Sequence, residues 1–114
     1  MTANPTGAAE NRAIACDLSA LTAQGRAREQ ALLAWLRGAI EGAAETDRGW
    51  SFRLPAEPET LASLGELLAY ERRCCPFLAF DLAVSARSQA TLEIHGGPQA
   101  KAFIAATFGG DQVP

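Results

Sequence analysis

Pro76 follows two adjacent cysteines in the run Glu71-Arg72-Arg73-Cys74-Cys75-Pro76-Phe77-Leu78, and it divides a helix-forming stretch from an extended one. Proline disfavours helical geometry in the residue before it and has no N–H to give to an earlier carbonyl, so a helix entering this run ends at or near Cys75. Both thiols then lie on its last turn. Upstream, Glu57-Pro58-Glu59 suits a helix start, because proline fits the first turn and carboxylates suit the positive end of the helix dipole. Projected at 100° per residue from Leu61, Leu64, Leu67 and Leu68 form one apolar stripe, with Cys75 among them at roughly 320°. Glu71 falls near the centre of the stripe at roughly 280° and Cys74 on its edge at roughly 220°.

The rest of the chain alternates in kind. From Ser19 or Thr22, either of which suits an N-cap, to about Ala44, good helix formers dominate and Leu32, Leu33, Leu36, Ile40 and Ala43 recur at helical spacing. After the turn-like Thr46-Asp47-Arg48-Gly49, Trp50, Phe52 and Leu54 alternate with polar residues up to Pro55, which predicts a half-buried strand. Leu78, Phe80, Leu82 and Val84 predict a second strand, and Leu92 with Ile94 a third, paired with the second as a hairpin. Gly96-Gly97-Pro98 then opens a last helix through Ala102, Phe103, Ala106 and Thr107, stopped by Gly109-Gly110. The expected fold is α+β, a three-stranded sheet covered on one face by helices in the order α-β-α-β-β-α. Its first crossover is right-handed if the first two strands pair in parallel. Residues 1–15 have no apolar period and read as a flexible lead-in, leaving residues 16–114 as a single domain.

Ten basic residues against thirteen acidic ones give a formal charge of −3, and the basic residues form no patch, so the electrostatic footprint of a nucleic-acid binder is missing. No apolar stretch is long enough to span a membrane. Three cysteines fit a secreted disulfide framework poorly and reduced thiols well, and the expected compartment is the cytoplasm.

Two neighbouring reduced thiols suit capture of a soft metal or metalloid ion. A disulfide between Cys74 and Cys75 would close a strained ring that is easily reduced. Cys16 becomes a third sulfur ligand if the segment before the first helix folds back over the end of the second. Three thiolates suit trivalent arsenic or mercury, whereas zinc normally takes a fourth ligand. Glu71 reads either as a salt-bridge partner of Arg72, Arg26 or Arg28, or as a proton acceptor beside the thiols. The negative end of the helix dipole opposes thiolate formation at Cys74 and Cys75, and Arg72 and Arg73 are placed to offset it. His95, the only histidine, reads as an exposed strand-end residue and is the sole imidazole available to a zinc site. No Ser/His/Asp set, phosphate loop or dinucleotide fingerprint is present, and no cofactor is required.

The run from Glu71 to Phe80 resembles a family of small bacterial proteins with a Glu-Arg-x-Cys-Cys-x-Phe-Leu motif, found in heavy-metal and especially mercury-type resistance contexts. Cys16-Asp17-Leu18-Ser19 resembles the family's upstream Cys-x-Leu-Ser/Thr element, and Gly97-Pro98 its later Gly-Pro. The usual Gly-Pro-x-Gly-Ala stands here as Gly97-Pro98-Gln99-Ala100-Lys101. The resemblance implies a thiol site at Cys16, Cys74 and Cys75 and a link to metal stress, without assigning a reaction. Three functions follow as expectations. The first is binding of mercury or a related ion for sequestration or transfer. The second is a thiol enzyme, for organomercurial cleavage with Glu71 or Asp81 handling the proton, or for thiol-disulfide exchange. The third is a small interaction domain with structural cysteines, acting as a homodimer or as partner of a metal-responsive regulator.

Overall fold

A computed structural model describes residues 17–110 of the chain. A 3-10 turn at Leu18–Ala20 leads into helix α1, Ala23–Ala39, whose N-cap Thr22 accepts a hydrogen bond from the N–H of Gly25 at 3.0 Å. Strands β1 (Gly42–Glu45) and β2 (Gly49–Pro55) come next, then helix α2 (Pro58–Cys74). Strands β3 (Ala79–Val84) and β4 (Gln89–His95) follow. A 3-10 turn at Pro98–Ala100 opens the short helix α3, Lys101–Ile104, which widens into a π-helical turn at Ala105–Gly109. The lead-in expected over residues 1–15 lies outside the described residues.

The α+β class is as expected, but the sheet has four strands, all antiparallel, in the order β1-β2-β4-β3. Strand β1 is the addition. The first helix stops at Ala39 instead of continuing to about Ala44, because Ile40 turns extended (φ −65°, ψ 130°) and the chain joins the sheet. Glu41 donates to the carbonyl of Arg53 at 2.8 Å and Thr46 to that of Gly49 at 2.9 Å, closing a hairpin over the residues 46–49 turn. Alanine's helix preference is worth only tenths of a kcal/mol per residue, roughly 0.7 at most over ordinary residues, so a paired backbone outweighs it. The parallel crossover does not arise, since β2 pairs with β1 and β4 and not with β3.

Alternation sends Trp50, Phe52 and Leu54 of β2 and Ala90, Leu92 and Ile94 of β4 to one face, where all six are buried. Leu32, Leu33 and Leu36 of α1, Leu64 and Leu67 of α2, and Ile104 and Phe108 from the last helical segment pack on that face. Trp50 stacks on Phe52 with centroids 6.5 Å apart, and its indole N–H donates to the carbonyl of Lys101 at 3.2 Å. Gly49 is dictated by the approach of β4, because a Cβ there would collide with the carbonyl oxygen of Ile94. Gly49→Ala is therefore expected to destabilise the protein by more than about 1 kcal/mol in denaturant unfolding. A midpoint unchanged from the parent would contradict this packing of β2 on β4.

Candidate metal centre

Helix α2 ends where Pro76 requires, with Cys74 its last residue and Cys75 its C-cap. The N–H of Cys75 still donates to the carbonyl of Glu71 at 2.7 Å, but its backbone has left the helix (φ −126°, ψ 66°), and Leu78 then donates to the carbonyl of Cys75 at 3.1 Å. This tight exit holds both sulfurs on the inner side of the turn, 3.9 Å apart, and Cys74 and Cys75 are both fully buried. The edge position expected for Cys74 is thus corrected. The cover comes from the start of the described chain, where Asp17 donates to the carbonyl of Cys74 at 2.6 Å and Arg73 reaches the carbonyl of Ala20 at 3.5 Å.

Glu71 lies on the buried stripe, as the helical projection predicts, and is fully buried. Its Oε1 stands 3.8 Å from the sulfur of Cys74 and 3.4 Å from that of Cys75, and the three side chains offer ligand atoms all within 4.8 Å of one another. Such a group can hold a metal ion. Two sulfurs bound about 2.3 Å from a tetrahedral ion lie roughly 3.8 Å apart, close to the separation seen here. Cys74 is a free thiol, whereas Cys75 is disulfide-bonded, though not to Cys74. Holding an ion through both sulfurs therefore begins with reduction of Cys75.

The partner of Glu71 was not among the candidates read from the sequence. It is Glu29 of α1, a second carboxyl, only 2% exposed. Burial first, and then the hydrogen bond and charge of Glu29, push the Glu71 carboxyl up to about 9. Oε2 of Glu71 accepts from no donor among the described residues, and the neighbouring Glu29 carboxyl adds to the burial that keeps a proton on Glu71. Cys74 is pushed up to about 12, by burial first and then by the charges of Glu71 and Glu29. At neutral pH this is a protonated, unreactive thiol beside a protonated acid.

Arg28 does not fill the place expected of it. Arg28 pairs with Glu66 through two 2.7 Å hydrogen bonds, joining α1 to α2 at the surface instead of neutralising Glu71. Arg72 is exposed, and the Arg73 guanidinium reaches the carbonyl of Ala20 at 3.5 Å. Cys16 lies outside the described residues, which begin one position later at Asp17. His95 and Asp81 lie on strands β4 and β3, on the sheet face away from the helices, and take no part in the thiol cluster. No helix among the described residues is long and apolar enough to cross a membrane.

Glu29 carried a legible signal. It precedes Leu33 and Leu36 by four and seven residues, the spacing that places a side chain on the same helix face. No family model, curated protein or solved structure matches the chain.

Proposed function

We propose that the reduced protein captures a thiophilic metal or metalloid ion, of the mercury type, through Cys74 and Cys75, for sequestration or transfer. The observation that carries this reading is a pair of sulfurs 3.9 Å apart with a carboxyl oxygen within 3.8 Å of both, all three side chains fully buried. An isolated ion-binding thiol needs none of this enclosure. Burial excludes hard, strongly hydrated cations and leaves soft ions, whose bonds to sulfur repay the loss of the thiol protons. The sulfur separation suits an angular geometry, so mercury is held with a third donor, for which Glu71 Oε1 is the nearest oxygen and Cys16 the remaining sulfur of the sequence motif. The motif's resemblance to proteins of heavy-metal resistance contexts supports the same reading.

The test is titration of reduced protein with mercury(II) and with arsenite while free thiols are counted. One ion per chain with loss of the Cys74 and Cys75 thiols is expected from reduced protein, and markedly weaker uptake from protein left unreduced. Thiol counts unaffected by either ion would overturn the proposal.

One observation favours a catalytic extension. A carboxyl that holds its proton up to about 9 stands beside both sulfurs, which is what cleavage of a carbon–mercury bond needs. The two thiols would each give up a proton to solvent as their sulfurs bind the metal, the carbon–mercury bond would break, and the Glu71 proton would pass to the departing carbon, leaving Glu71 ionised and mercury on both sulfurs. Release of hydrocarbon from an organomercurial by the parent protein and not by Glu71→Gln supports this step; equal release by both rules it out. Thiol-disulfide exchange is served less well, since a thiol pushed up to about 12 has little thiolate with which to attack.

A further inference from the structure

The outer face of the sheet carries a second cluster of donor atoms, unrelated to the thiols. Asp81 of β3 and Glu93 of β4 are direct cross-strand neighbours, and His95 lies two residues beyond Glu93 on the same face. Two carboxylates placed opposite each other on neighbouring strands repel, an arrangement that costs stability unless a positive charge lies between them. The other register neighbour of Glu93, on β2, is the uncharged Ser51. His95 is flanked in register by the small residues Gly49 and Ala79.

The imidazole Nε2 lies 3.0 Å from Oδ2 of Asp81 and 3.4 Å from Oε1 of Glu93, and the three donor atoms fall within 4.8 Å of one another. Ligands bound about 2.1 Å from one first-row divalent ion are separated by roughly 3.0 Å at octahedral angles and roughly 3.4 Å at tetrahedral ones. Both separations to the histidine nitrogen thus match neighbouring ligands of a single ion. The side chains are 26%, 72% and 41% exposed for His95, Asp81 and Glu93, so an ion arrives from solvent without any opening of the fold. We infer that Asp81, Glu93 and His95 form a surface site for a borderline divalent cation such as zinc(II), held by one imidazole and two carboxylates with its remaining positions open to water.

Calorimetric titration of zinc(II) into parent protein and into His95→Ala, both left unreduced, tests this site. The parent should take up one zinc per chain with micromolar affinity. His95→Ala should bind more than about 10-fold more weakly, because losing a ligand costs no less than losing a group that only orients one. Asp81→Asn should weaken binding in the same direction. Manganese(II), for which thiols compete poorly, provides a second readout in which its paramagnetism broadens the amide signals of residues 81, 93 and 95 before any others. Affinity unchanged in His95→Ala, or broadening spread over every exposed carboxylate, would overturn the inference.

Discussion

Thermal unfolding of the protein is expected to become easier as pH rises from about 5 to about 9, and Glu71→Gln is expected to remove most of that dependence. The cause is the buried carboxyl pair. Glu71 goes from an ordinary value of 4.5 to about 9 in the folded protein, chiefly through burial and then through Glu29. A raised folded value means that the native state holds a proton the unfolded chain gives up. Below 4.5 both states are protonated and the contribution to stability is fully present; above it the unfolded chain binds fewer protons, and stability falls until the folded carboxyl also ionises. For one proton the slope is about 1.4 kcal/mol per pH unit, a large effect for a small domain. Glutamine keeps the shape and has no proton to lose, so its unfolding midpoints should be flatter across this window and higher than those of the parent near pH 8. Equal slopes for the two proteins would show that Glu71 does not hold a proton in the core.

Replacing Cys74 and Cys75 together with serine is expected to abolish tight mercury(II) binding by the reduced protein. The loss should exceed the roughly 10–100-fold that removal of a group merely supporting a ligand costs, since no other pair of sulfurs exists among the described residues. Each single substitution should leave an intermediate affinity, because the remaining sulfur still has Glu71 within 3.8 Å. Glu71→Gln should weaken binding less than either, as it removes an oxygen donor and leaves both sulfurs. Competition against a small dithiol chelator measures all four proteins on one scale, and a double substitution that binds like the parent would remove Cys74 and Cys75 from the site.

Local chemistry made much of this arrangement legible. Pro76 located the end of α2, Ser19 or Thr22 the start of α1, which Thr22 caps, and projection of one helix placed Glu71 in the core. What was hidden depends on contacts between distant segments. Strand β1 exists because Gly42–Glu45 has β2 to pair with, which outweighs the helix preference of Ala43 and Ala44. Cys74 is deep and not at an edge because Asp17 and Ala20, more than fifty residues earlier, close over the helix end. Glu29 was hidden differently. Its position on the apolar stripe of α1 was readable, but a helix read by its leucines alone passes over a charged residue among them. The donor cluster at Asp81, Glu93 and His95 needed the register of β3 on β4, which alternation of apolar residues does not specify.

The most direct test of the thiol site is the coordination of mercury itself, read by X-ray absorption at the mercury edge on reduced protein loaded with one equivalent. Two or more sulfur neighbours per mercury in the parent, falling to at most the one that Cys16 can supply in the Cys74→Ser/Cys75→Ser protein, is the predicted result. Coordination by oxygen and nitrogen alone, or by a single sulfur with the other of the two thiols still open to titration, would contradict capture by the Cys74 and Cys75 pair.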